Sequence, residues 1–199
     1  MLRRIHLTGV LATLLASVAA IGCAPLLLPD DYSPRSHTVS ESAAQGVDGA
    51  WLARLGLLLF GLAVLWLVHA VGRRWNLPAA ISHATFGVML IASAVFSHRP
   101  WMAAQPVDGT EDLLHSIAAT TMGFAFALGI LLVMLRRAGT NHARWFDIVV
   151  IVASVVIPLA MSLDGEQAGL VQRIMFAIGY VWYAVEAIRM LRPATGSTG

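Results

Sequence analysis

The chain has 199 residues, of which 58% are hydrophobic and only 12% charged, with a formal net charge of +2. A soluble domain usually carries ~25% charged residues, so there is too little polar surface to wrap a water-facing fold of this size. The small positive charge comes without zinc-finger spacing or a long basic run, which argues against a nucleic-acid partner.

Six apolar stretches follow one another, roughly Ile5–Ile21, Leu52–Val71, Ala79–Phe96, Leu113–Leu135, Phe146–Leu163 and Leu170–Leu191. Each is close to the ~20 residues with which an α-helix crosses a ~30 Å hydrocarbon layer. The predicted fold class is all-α, a polytopic transmembrane bundle of six helices. Leu55–Val68 and Val149–Leu159 are apolar all round, as membrane helices are and as amphipathic surface helices are not.

The first stretch has a second reading. Met1-Leu2-Arg3-Arg4, an apolar core and Ala20-Ile21-Gly22-Cys23 have the layout of a signal sequence ending in a lipoprotein cleavage site. Ala20 stands where leucine is usual, so the segment is expected to stay as span one. Cys23 is the only cysteine, which excludes an internal disulfide.

The first outer loop contains Pro25, Pro29 and Pro34, then Ser36, Ser40 and Ser42. An irregular course is predicted, with a short helix over Ser40–Gln45 and a turn at Asp48-Gly49 into span two. The second outer loop opens at Ser97-His98-Arg99-Pro100 and turns again at Pro106–Gly109. Thr110 is expected to cap span four, with Glu111 and Asp112 in its first turn. Gly56, Gly61, Ala118, Gly123, Ala125, Ala127 and Gly129 are small enough for close helix approach. Pro158 removes a helical hydrogen bond in span five and should kink it. His69 and His83 lie toward one end of spans two and three, where a shared polar contact is expected, and Glu186 is spaced to pair with Arg189. One transmembrane domain over residues 1–192 is expected, with outer loops 25–50, 98–112 and 164–169. Residues 193–199 read as a disordered tail.

Arginine sets the direction of the bundle. Arg3, Arg4, Arg73, Arg74, Arg136, Arg137, Arg144, Arg189 and Arg192 fall on the side of the N-terminus, nine of thirteen basic residues. By the positive-inside bias both termini are cytoplasmic. The absence of lysine suggests a GC-rich bacterial coding sequence, and the expected location is the bacterial inner membrane, multi-pass.

The polar residues that could carry chemistry gather at the outer level. Candidate catalytic residues are His115, Asp112 and Glu41, and candidate ligand-binding residues are Arg173, Gln172, Ser40, His98 and Asp164. Glu111 or Asp112, three or four residues before His115, is placed to orient its imidazole. Arg173 is expected to pair with Glu41 or Asp164, or to grip an anionic headgroup. His115 and Arg173 are expected to face each other inside the bundle. No organic cofactor is expected. A metal is disfavoured because the two histidines lack HxxxH or HExxH spacing.

Ala24-Pro25, Tyr32-Ser33-Pro34, Val39-Ser40-Glu41, His115 and Gly169-Leu170-Val171-Gln172-Arg173 together carry a resemblance. With these motifs the chain resembles the bacterial and archaeal six-helix membrane proteins numbered 998 among the domains of unknown function. The resemblance runs from span one through span six and implies a membrane fold without an assigned activity. The family pattern usually has Glu before the arginine, where this chain has Gln172.

Three functions stay open on these residues. The first is binding of a membrane lipid, or of another membrane protein, at the outer polar cluster. The second is hydrolysis of a lipid ester, amide or phosphate, with His115 as base and Arg173 holding the anionic group. The third is transport, against which no span carries an acidic residue near its midpoint.

Overall fold

The computed structural model describes residues 2–71, 74–102, 105–137, 141–163 and 165–189, with the backbone alone at 3, 141–143 and 162–163. Arg73, Asp164, Arg192 and the tail 193–199 lie outside the described residues. The helices are α1 (Leu2–Cys23), α2 (Val39–Ser42), α3 (Ala50–Val71), α4 (Leu77–Val95), α5 (Gly109–Arg136), α6 (Asn141–Leu163) and α7 (Ala168–Arg189). All but the one-turn α2 are long and apolar enough to cross a membrane, and they are the six spans read from the sequence.

Local chemistry sets where they begin. Asn76 caps α4 by accepting from the Ala79 amide at 2.8 Å, with Pro78 in the first turn. At α5 the cap is Asp108, not Thr110: its carboxylate accepts from the amides of Thr110 and Glu111. A carboxylate suits the positive end of a helix dipole better than a hydroxyl does. The short helix of the first loop starts one residue before the expected position and stops at Ser42. Thr38 and Glu41 form a reciprocal capping box at its start. Gly49 enters α3 with φ 80°, and a Cβ there would lie 2.1 Å from the Leu27 carbonyl oxygen.

Neighbouring spans pack in chain order, α1 on α3, α3 on α4, α4 on α5, α5 on α6 and α6 on α7, and α7 returns to α1. Ser17 of α1 closes this ring, donating to the Gly56 carbonyl at 2.6 Å and meeting the Tyr180 hydroxyl at 2.6 Å. Because lipid is as apolar as a leucine side chain, such helices associate through close packing and polar contacts rather than by escape from water. Gly61 and Gly87 provide the first, since a Cβ on Gly61 would sit 2.6 Å from the Gly87 carbonyl. Aromatic rings fill the centre: Phe60 stacks on Tyr180 at 4.0 Å and meets Phe86 edge-on at 5.7 Å.

The fit is uneven around the ring. Only 11% of the apolar window of α6 is buried, against 44% for α3 and α4. Val149, Val152, Val155 and Val156 of α6 are all exposed. A gap therefore opens where α6 stands beside α5 and α7. We refer to the end of the bundle that carries the first loop as the loop end, and to the opposite one as the arginine end.

Candidate functional site

At the loop end, the motifs that carry the family resemblance converge. Arg173 of α7 donates to the carbonyls of Pro34 (2.7 Å), His37 (2.8 Å) and Gly169 (3.0 Å), and to the Tyr32 hydroxyl (2.6 Å). Gln172 accepts from the Val39 amide at 2.6 Å through Oε1. Gly169 lets α7 approach so closely that a Cβ would lie 2.3 Å from the His37 carbonyl oxygen. The prolines keep residues 28–38 out of regular structure, and the carbonyls this frees from helix pairing need other donors. One guanidinium supplies them. Tyr32, whose phenol burial pushes above its usual 10.0 against the pull of Arg173, keeps its proton and donates to the His37 and Thr38 carbonyls.

Among the described residues, Arg173 is satisfied by carbonyls and a phenol rather than by an acid, and Asp164 lies outside them. Glu41 is turned back onto its own helix start, accepting from the Thr38 amide (2.6 Å) and hydroxyl (2.9 Å). His115 and Arg173 do not meet. They hold the same segment from two sides, Arg173 at Pro34 and His37, His115 at Ser40.

His115 is 3% exposed and engages both ring nitrogens: Nδ1 lies 2.8 Å from the Phe96 carbonyl oxygen and Nε2 lies 3.0 Å from Ser40 Oγ. A carbonyl only accepts, so Nδ1 carries the proton. Nε2 of the neutral ring then accepts from the Ser40 hydroxyl. The acids expected to orient this ring serve the second loop instead. Glu111 accepts from the Ser97 amide at 2.7 Å. Asp112 lies 2.8 Å from His98 Nδ1 and binds Arg99 through its amide and guanidinium. The His98 ring, bonded to Asp112, is 5.3 Å from that of His115, whose own nitrogens bond Phe96 and Ser40 instead of the acid. Gln45, not singled out from the sequence, ties the loops together by bonding Ser97 and Asp108 with its side chain.

Ser40 and Gln172 also line a cavity of about 630 Å³ between α5, α6 and α7. Apart from Ser93, Thr120 and Ser154, the rest of the wall is apolar, with Leu57, Leu90, Met122, Met175 and Phe176 on the inside and Pro158 on α6. Phe124 (73% exposed) and Leu159 (59%) belong both to the wall and to the bundle surface, so the cavity opens sideways between α5 and α6. Gly123 lies on this wall, and a Cβ added to it meets nothing within 4 Å. Unlike Gly61, it makes room for a void rather than for a neighbouring helix. Ser93 is 3% exposed, and its hydroxyl has no hydrogen-bond partner among the described residues.

A second polar cluster lies at the arginine end. Asp147 and Glu186 are buried, and Arg137 bridges them with one nitrogen to each. Arg189 donates to Glu186 at 2.5 Å, the pairing expected from spacing, and Trp182 Nε1 donates to Asp147 at 3.0 Å. Neither Asp147 nor Arg137 was legible as a partner, although an acid two residues into an apolar span is a signal in itself. His83 bonds the Tyr183 hydroxyl at 2.9 Å, while His69 packs edge-on to His6, so the two do not share a contact. No group of three or more His, Cys, Asp or Glu side chains among the described residues is arranged to hold a metal ion.

Six long apolar helices ringed around an aromatic core, with a side cavity and a polar cluster at its loop end, define a multi-pass helical membrane protein. The model of a protein of unknown function (DUF998) matches residues 9–189, and the chain belongs to that family. No curated protein and no solved structure matches the chain.

Proposed function

We propose that this protein binds a membrane lipid in the side cavity, with an acyl chain along Met122, Met175 and Phe176 and the polar part of the lipid at Ser40 and Gln172. The observation that carries the reading is the cavity's polarity, with Ser40, Ser93 and Gln172 at the loop end of a mostly apolar hollow. Its volume falls within the ~300–1,000 Å³ usual for small-molecule sites. Its mouth opens on a surface of exposed Phe124, Val155 and Leu159, which faces the hydrocarbon layer in a six-span orientation, so the molecules that meet it are lipids. We further propose that both termini are cytoplasmic and that the membrane is the bacterial inner one, which puts the cavity's polar end at the outer leaflet. The supporting feature is the arginine distribution.

The test is native mass spectrometry of protein extracted in mild detergent from its own membrane. A retained lipid of defined mass, lost from Gly123→Trp, is the expected result. Equal lipid retention by the two proteins would overturn the assignment to this cavity.

A further inference from the structure

We infer that Ser40 is a nucleophile, with His115 as its general base, acting on an acyl ester of a lipid held in the side cavity. This rests on the lipid reading above and assigns a reaction to the same site. The geometry is that of an activated serine. The Phe96 carbonyl holds His115 Nδ1–H at 2.8 Å, which turns the basic Nε2 toward Ser40 Oγ at 3.0 Å. A backbone carbonyl thus takes the orienting role that an aspartate plays in a triad. Ser40 itself is held in place by the Thr38–Glu41 capping box and by Gln172 on the Val39 amide. It is partly buried and lines the cavity, with its oxygen 3.0 Å from the imidazole.

Two other wall groups have hydrogen-bonding capacity to offer a carbonyl oxygen. Gln172 spends Oε1 on Val39, which leaves its amide nitrogen as the donor for a ligand. Ser93 presents a buried hydroxyl with no partner among the described residues. An unmet buried hydroxyl is costly unless something that enters the cavity satisfies it.

The reaction balances on these groups and water. Ser40 Oγ bonds to the ester carbonyl carbon as its proton passes to His115 Nε2, and charge on the carbonyl oxygen is met by Gln172 and Ser93. The carbon–oxygen bond to the alcohol breaks, and Nε2 returns the proton to the departing alkoxide. A water then attacks the acyl-Ser40 ester, its proton going to Nε2 and on to Ser40, and the fatty acid leaves.

The experiment uses the full chain in vesicles of phosphatidylglycerol and phosphatidylethanolamine, treated with a long-chain alkyl fluorophosphonate. The adduct is mapped by peptide mass spectrometry, and retained lipid is measured on the same preparations. We expect an adduct on Ser40, none in Ser40→Ala, labelling about 100-fold or more slower in His115→Gln, and an unchanged rate in Ser116→Ala, an exposed neighbour of His115. Wild-type protein that retains lipid but forms no Ser40 adduct would overturn the inference and leave lipid binding standing, and so would labelling at the wild-type rate in a folded His115→Gln. Protein that retains no lipid would remove the lipid reading and this inference together. The position of the adduct on the unmutated chain decides the matter even if His115→Gln does not fold.

Discussion

Arg173 and Tyr32, 141 residues apart, meet through a 2.6 Å hydrogen bond that fastens the first loop to the last helix. The guanidinium also stands 5.9 Å from the centre of the Tyr32 ring and binds three carbonyls. Removing it takes a charged donor from all three carbonyls and from the Tyr32 hydroxyl, leaving the His37 carbonyl, among the described residues, only its bond from Tyr32. Arg173→Ala should therefore lower stability by at least the roughly 1.5–3 kcal/mol typical of one hydrogen bond to a charged group. Hydrogen exchange should show the amides of 32–39 losing protection while those of α3 and α4 keep it. Unchanged exchange in the first loop would contradict this role.

Gly123 offers a test at a position where a Cβ displaces no neighbour. A Cβ there meets nothing within 4 Å, and a helical glycine is less favourable than tryptophan by roughly a few tenths of a kcal/mol. Gly123→Trp should keep or raise the thermal midpoint while reducing lipid retention at least about tenfold, a loss of roughly 1.4 kcal/mol in binding. A lowered midpoint with full lipid retention would mean that the cavity is closed in the membrane.

At the arginine end, Arg137 is the single cation that touches both Asp147 and Glu186 among the described ion pairs. Its loss strands a fully buried carboxylate, and breaking such a pair from one side costs roughly 3–5 kcal/mol. Arg137→Ala should show that loss in denaturant unfolding from mixed micelles. Arg136→Ala, at an exposed position, should stay within about 0.5 kcal/mol of wild type. Equal effects of the two would argue that the buried cluster adds nothing to stability.

The proposed orientation is checked with reporter fusions. Fusions within 136–145 and after Gly199 should report cytoplasm, and fusions within 26–48 or 100–110 the outside. A C-terminal fusion that reports the outside would reverse the bundle and put the cavity's polar end at the inner leaflet.

Part of the site was legible in the chain. Thr38-Val39-Ser40-Glu41 has the S/T-x-x-E spacing of a capping box, which explains why Glu41 is spent at its own helix start rather than on Arg173. The level shared by Ser40, Gln172 and His115 followed from alternating spans. Their pairing did not. Asp112, next in space to the second loop, was taken by His98 and Arg99, and His115 turned to Phe96 and Ser40.

The six spans were determined by the sequence alone, because crossing a hydrocarbon layer depends on the length and apolarity of each segment taken by itself. The irregular first loop was also local, set by its prolines. Only the tertiary structure decided which donors would serve that loop's exposed carbonyls, why Gly61 meets a helix while Gly123 meets a void, and that Ser40 comes within 3.0 Å of His115 from 75 residues away. A hydrogen bond needs its partners within about 3 Å and aligned. Candidates at one membrane level compete for each other on those terms, and the docking of the two loops onto α5 and α7 settles the competition.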